Sequence, residues 1–186
     1  MSLRVISGKA KGLRLKSING LQTRPTADRI KESLFSIIGA LLDKAVVLDL
    51  FAGTGALGIE ALSRGAEFVT FIDSSRESIS VVKENIKHTG FEEFAEIYLN
   101  DYDRAIKALA QKDKKYDIVF LDPPYGKGLD IKAGKCITEN NLLSDKGIII
   151  IETEEILEDN IFGMTKYDER SYGRTKLSFY KKEQKD

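Results

Sequence analysis

One stretch limits the choice of fold more than any other. Ala45-Val-Val-Leu-Asp-Leu-Phe51 is an almost wholly apolar run of strand length, and it breaks into Gly53-Thr54-Gly55-Ala-Leu-Gly58. An apolar run without polar alternation fits a strand buried on both faces, as in a parallel sheet covered by helices on each side. A G-x-G-x-x-G at the end of such a strand allows a tight turn and brings the backbone close to a ligand.

The rest of the chain supplies the alternation that such a sheet needs. Thr26 can cap a helix whose apolar positions Ile30, Leu34, Ile37, Ile38, Leu41 and Leu42 share a face. After the glycines, a short helix over Ala56–Ser63 leads to a strand, Phe68–Asp73. Ser74 and Glu77 form a capping-box pattern ahead of a helix with Ile79, Val82 and Ile86 inward. Ala95–Asn100 and Tyr116–Asp122 read as strands, with a helix over Tyr102–Gln111 between them and a further strand over Gly147–Glu152. Lys166–Tyr172, the Gly173-Arg174 turn and Thr175–Lys182 read as a hairpin at one sheet edge. The expectation is a doubly wound α/β sheet, mostly parallel, with an antiparallel C-terminal edge.

Composition narrows the chemistry. The 186 residues suit one domain, with 42% hydrophobic and 31% charged residues, as in ordinary globular proteins. No apolar run approaches the roughly 20 residues needed to span a bilayer, and no leader pattern is visible, so a cytoplasmic protein is expected. Cys136 and His88 are alone of their kinds. They cannot make an intrachain disulfide or a structural zinc site, and His88 sits in a charged helical stretch facing solvent. Chemistry without a metal or a histidine base follows. Net charge is zero, yet Met1 to Lys31 holds eight basic residues and one acid, or +7, against −7 for the remainder. Such a split fits a polyanion-binding arm on an acidic body, or simply a solvated terminus.

Ligands of open α/β sheets bind at the carboxyl ends of the strands. Four strands carry suggestive residues there: Asp49 with the glycines, Asp73, Asn100-Asp101, and Asp122-Pro123-Pro124-Tyr125. Asp73 follows Gly53 by 20 residues, where an acid accepts the hydroxyls of a ribose. Glycines and Asp73 fit a nicotinamide dinucleotide as well as S-adenosylmethionine. Asp49 separates the two, since its carboxylate suits a cationic amino-acid moiety and repels a pyrophosphate. Asp-Pro-Pro-Tyr suits methylation of a ring-conjugated amine. The Asp122 carboxylate and Pro123 carbonyl accept both N–H hydrogens and aim the nitrogen lone pair outward, the prolines stiffen the backbone, and Tyr125 offers a stacking face. A paired base would have to be flipped out to reach it.

These motifs bring a known family into view. Asp49–Gly58 with Asp122–Tyr125 is similar to class I methyltransferases that modify exocyclic amines of nucleobases. Arg4-Val-Ile-Ser-Gly-Lys-Ala-Lys-Gly-Leu-Arg-Leu and Thr23-Arg-Pro-Thr-Ala-Asp-Arg-Ile-Lys-Glu-Ser-Leu-Phe35 resemble small-subunit ribosomal RNA methyltransferase D of bacteria. The resemblance runs from about Arg4 to Tyr180. It implies a Rossmann-like, seven-stranded sheet over 26–186 and a basic, hairpin-like extension over 1–25. The implied activity is S-adenosylmethionine-dependent methylation of a guanine N2 amine in 16S ribosomal RNA, on an assembled or nearly assembled small subunit, by a monomer. The implied cofactor residues are Asp49, Phe51, Gly53, Thr54, Gly55, Gly58, Asp73, Ser74, Asp101 and Tyr102, with Asp73 on the ribose and Asp101 on the adenine amino group. Asp122, Pro123, Pro124 and Tyr125 would hold the guanine. Arg4, Lys9, Lys11, Arg14, Arg24, Arg29 and Lys127 would touch RNA. An adenine-N6 methyltransferase shares the Asp-Pro-Pro-Tyr chemistry, and a non-catalytic RNA-binding assembly factor predicts a damaged glycine loop or a lost Asp122.

Overall fold

A computed structural model of the protein describes residues 3–18, 25–124 and 126–182, with the backbone alone for 25–27. Strands β1 (Val46–Asp49), β2 (Phe68–Asp73), β3 (Ala95–Leu99), β4 (Tyr116–Leu121) and β5 (Leu143–Thr153) are parallel. Strands β6 (Asn160–Ile161), β7 (Met164–Tyr172) and β8 (Thr175–Lys182) are antiparallel, and β8 pairs with β5. The order is β3-β2-β1-β4-β5-β8-β7-β6. The chain therefore enters at the middle of the sheet, builds outward one way, then crosses back, and the switch point lies between β1 and β4.

Period-two packing explains why the central strands are apolar throughout. Val47, Phe71, Ile118, Phe120, Ile148 and Ile150 face one buried layer with Leu34, Phe35, Ile38, Ile59 and Val82. Those helical residues lie on α1 (Pro25–Ile38), α2 (Ala56–Ser63) and α3 (Arg76–Thr89). Leu48, Val119, Leu121, Ile149 and Ile151 face the other layer, beside Ile106 and Leu109 of α4 (Tyr102–Gln111) and Ile137 of α5 (Leu129–Glu139). Each strand thus buries alternate side chains against a different helix layer.

Several local expectations need correction. Among the described residues the sheet has eight strands rather than seven, because Asn160–Ile161 adds a short edge beyond the hairpin. Helix α1 opens on Pro25, so Thr26 is inside it rather than flanking it, and Leu41 lies in a following 3-10 turn with its side chain exposed. The cap of α3 is Ser75, whose Oγ accepts from Ser78 N, not Ser74 paired with Glu77. Helix α5 lacks a clear signal in the sequence, because Gly134 interrupts its pattern. A Cβ there would sit 2.7 Å from the Phe162 ring, so the glycine admits the β6–β7 turn against the helix.

The basic N-terminal segment is a packed hairpin. Val5 N donates to Leu13 O, Gly12 N to Val5 O and Leu15 N to Leu3 O, around an Arg4–Arg14 bridge. Val5, Ala10 and Leu15 are buried in the layer that α1, α2 and α3 share. Fully buried Glu60 on α2 accepts from Ile6 N (2.8 Å) and Ser7 N (3.0 Å) and pairs with Arg64 (2.8 Å) and Lys31 (3.5 Å). Ser63 accepts from Ala10 N and donates to Ser7 O. Asn85 on α3 completes the clamp, accepting from Lys16 N (2.7 Å) and donating to Lys16 O (3.0 Å).

Candidate active site

Strand register brings the expected residues to one edge. Asp49 ends β1 opposite Phe71 and Phe120, Asp73 ends β2, and Asp122 follows β4. Asp49 is almost fully buried, and its Oδ2 accepts from Gly58 N at 3.1 Å. Loss of hydration pushes its pKa up to about 7; the Gly58 N–H opposes that rise and the charge of Asp73 adds to it. Gly53 and Gly55 take left-handed φ values of 54° and 78°, and a Cβ at Gly53 would meet nothing within 4 Å, so the loop presents open backbone. Gly58 is buried instead. A Cβ there would lie 2.2 Å from the Phe71 ring, so this glycine lets α2 press onto the sheet, and its N–H steadies Asp49.

Asp73 and the loop are bound together. Its Oδ2 accepts from Gly53 N and its Oδ1 from Ser75 N, both at 2.8 Å, which fixes a carboxylate beside the open glycine while leaving lone pairs on both oxygens. Asn85 reaches here too, donating to Thr54 O at 2.9 Å, so one side chain joins the hairpin to the glycine loop. Ser74 is exposed. Asp101 is exposed and caps α4 by accepting from Asp103 N, a role compatible with a second bond from its carboxylate. Phe51 and Tyr102 are half-buried with ring centroids 5.9 Å apart, so they form an apolar wall beside the glycines rather than filling the core.

On the other side of Asp49, Pro123 is buried, Pro124 is exposed, and both line a cavity of about 290 Å3. Asp122, just before them, is exposed, yet the protein packed around it, then the charge of Glu152, then that of Asp49, hold its carboxyl well above the usual carboxylate range. Tyr125 lies outside the described residues. Glu152, one residue before the end of β5, is a fifth carboxylate at this edge, and its place at the close of the apolar run Gly147–Glu152 is the signal in the sequence that marks it.

The basic residues divide. Lys9, Lys11, Arg14, Arg29 and Lys127 are exposed, and Arg4 is exposed 3.7 Å from Asp28. Lys31 is buried against Glu60, donates to Arg4 O at 2.6 Å, and has its pKa lowered by desolvation. It is structural. Lys16 pairs with Glu84. Arg24 lies outside the described residues.

Known proteins are similar to this chain in sequence and fold. The family described as conserved hypothetical protein 95 matches residues 3–181. YlbH of Bacillus subtilis, named for rRNA methyltransferase activity, is 42% identical over 97% of this chain and 99% of its own length. The ribosomal RNA small subunit methyltransferase D of Escherichia coli K12 is 36% identical over 82% of this chain and 75% of its own. The solved structure of E. coli yhhF, described as a methyltransferase, superposes with a TM-score of 0.85 at 30% identity, covering 98% of this chain and 99% of that one. The chain belongs to the conserved hypothetical protein 95 family, alongside the bacterial ribosomal RNA small subunit methyltransferases D.

Proposed function

We propose that this protein methylates the exocyclic N2 amine of a guanine in 16S ribosomal RNA, with S-adenosylmethionine as donor and the assembled small subunit as substrate. The observation that carries the reading is the shared edge: an open glycine loop with fixed carboxylates lies one strand away from an Asp-Pro-Pro turn at the switch point. The relatives' activity on small-subunit RNA supports the substrate. The residues also fit the cofactor. Asp73 is a fixed acceptor for a ribose, buried Asp49 suits a cationic amino-acid group, and the Phe51–Tyr102 wall offers an apolar flank for adenine with Asp101 near its amino group. A monomer in the cytoplasm is the working form of this reading.

The bound cofactor supplies a methyl group on a positively charged sulfur. Asp122 and the Pro123 carbonyl accept the two amine hydrogens, which localises the nitrogen lone pair and points it at the methyl carbon. Asp49, Asp73 and the glycine loop would hold the donor, which would give its methyl group to that nitrogen and keep the electron pair of the bond it loses. One amine proton then passes to the Asp122 carboxylate, whose raised proton affinity suits the task. Exposed Lys9, Lys11 and Arg14 contact RNA phosphates, and the arm's lack of aromatic residues suits positioning rather than base readout. An intact glycine loop and Asp122 count against a non-catalytic assembly factor.

Asp122→Ala tests the division of labour. Methyl transfer should fall by at least about a hundredfold, the scale of losing a positioned acid–base group, while S-adenosylhomocysteine binding by calorimetry stays near wild type. Loss of binding together with transfer would remove Asp122 from the role assigned to it.

A further inference from the structure

The cleft holds a carboxylate that the transfer step does not use. The parallel register pairs Leu121 with Ile151, so Glu152 stands beside Asp122 one residue further on. Glu152 and buried Thr153 line the same cavity as Pro123 and Pro124. The two carboxylates are close enough that Glu152 is the foremost charged influence on Asp122. Neighbouring like charges in a partly desolvated cleft are costly, and a ligand that brings hydrogens to both relieves that cost.

The Watson–Crick edge of guanine brings three hydrogens, two on N2 and one on N1. Asp122, Pro123 and Glu152, neighbours at this edge, carry three acceptors between them: two carboxylates and the Pro123 carbonyl. Adenine carries an amine and a bare lone pair at N1 on its corresponding edge, and that lone pair would face a negative charge. We propose that Glu152 is a specificity-determining residue, accepting the N1–H of the target guanine and rejecting bases that present an acceptor there. This inference rests on the methyl-transfer reading above and assigns its base selectivity to one side chain on β5. Sites built to accept a substrate hydrogen discriminate strongly against analogues that lack it, because their own polar group is left unpaired.

The test uses small subunits reconstituted with 16S RNA carrying the target guanine, and the same subunits with 2-aminopurine at that position. 2-Aminopurine keeps the C2 amine but has a lone pair at N1. Wild-type protein should prefer guanine by about a hundredfold or more in kcat/KM, within the range for an unpaired buried polar group. Glu152→Gln, whose amide can donate to N1, should narrow that preference at least about tenfold, or about 1.4 kcal/mol, with S-adenosylhomocysteine affinity unchanged. Glu152→Asp retains an acceptor and should lower the rate while still rejecting 2-aminopurine. An identical guanine-to-2-aminopurine ratio in wild type and Glu152→Gln overturns the assignment of Glu152 alone. Failure of the wild type to form any N2-methylguanine overturns the underlying reading as well.

Discussion

Asp49 is the residue whose surroundings make the sharpest statement about pH. Burial raises its pKa from 3.8 to about 7, so the fold favours the neutral acid. Its contribution to stability is therefore complete below pH ~4 and is lost as pH rises towards 7. A ligand ammonium placed on this carboxylate reverses the preference, so binding below pH 7 must expel a proton. S-Adenosylhomocysteine affinity should rise with pH between 5.5 and 7, by up to about tenfold per unit, and level off above. Calorimetry in buffers of different ionisation enthalpy would show the released proton, and pH-independent affinity without proton release would separate Asp49 from the ammonium. The sequence already marked Asp49, Asp73 and Asp122, because each ends an apolar run. Gly58 was read as cofactor lining, and its packing against Phe71 became visible only once α2 and β2 were placed together.

At the level of elements, the hairpin and the glycine loop depend on one buried side chain. Asn85 is only 1% exposed and bonds to Lys16 N, Lys16 O and Thr54 O. Asn85→Ala should cost about 1–3 kcal/mol in denaturant unfolding, the range for orphaned buried polar groups, and a cost within 0.5 kcal/mol would mean that water replaces the clamp. Charge on the hairpin has a different effect. Reversing Lys11 and Arg14 together should weaken RNA binding and make the slope of log affinity against log salt shallower by about two; an unchanged slope would place the RNA grip elsewhere. Elements with clean periodicity, such as Ala56–Ser63, Phe68–Asp73 and Tyr102–Gln111, were legible to the residue. The hairpin's docking was not, because Glu60, Ser63 and Asn85 meet it across 53 to 69 residues of chain and no local pattern signals such bonds. The charge excess of Met1 to Lys31 suggested a polyanion-binding arm or a solvated terminus, yet Lys31, on α1, is spent on a buried contact with Glu60.

Over the whole molecule, the sheet gathers what the sequence scatters. Asp101, Asp73, Asp49, Asp122 and Glu152 follow one another across β3, β2, β1, β4 and β5, an acidic row at the carboxyl edge that the proposed function divides into a cofactor half and a base half. The zero net charge conceals this row and the basic hairpin alike. Sequence order could suggest a doubly wound sheet, but only the strand order and register show that β1 and β4 adjoin and that Glu152 stands beside Asp122. The central claim is that the two halves meet to move a methyl group onto a guanine amine. The most direct measurement is transfer from radiolabelled S-adenosylmethionine to small ribosomal subunits lacking base methylation, followed by nucleoside analysis. Label in N2-methylguanosine is the expected result, and label in N6-methyladenosine alone, or none in a protein that binds the cofactor, would contradict the account.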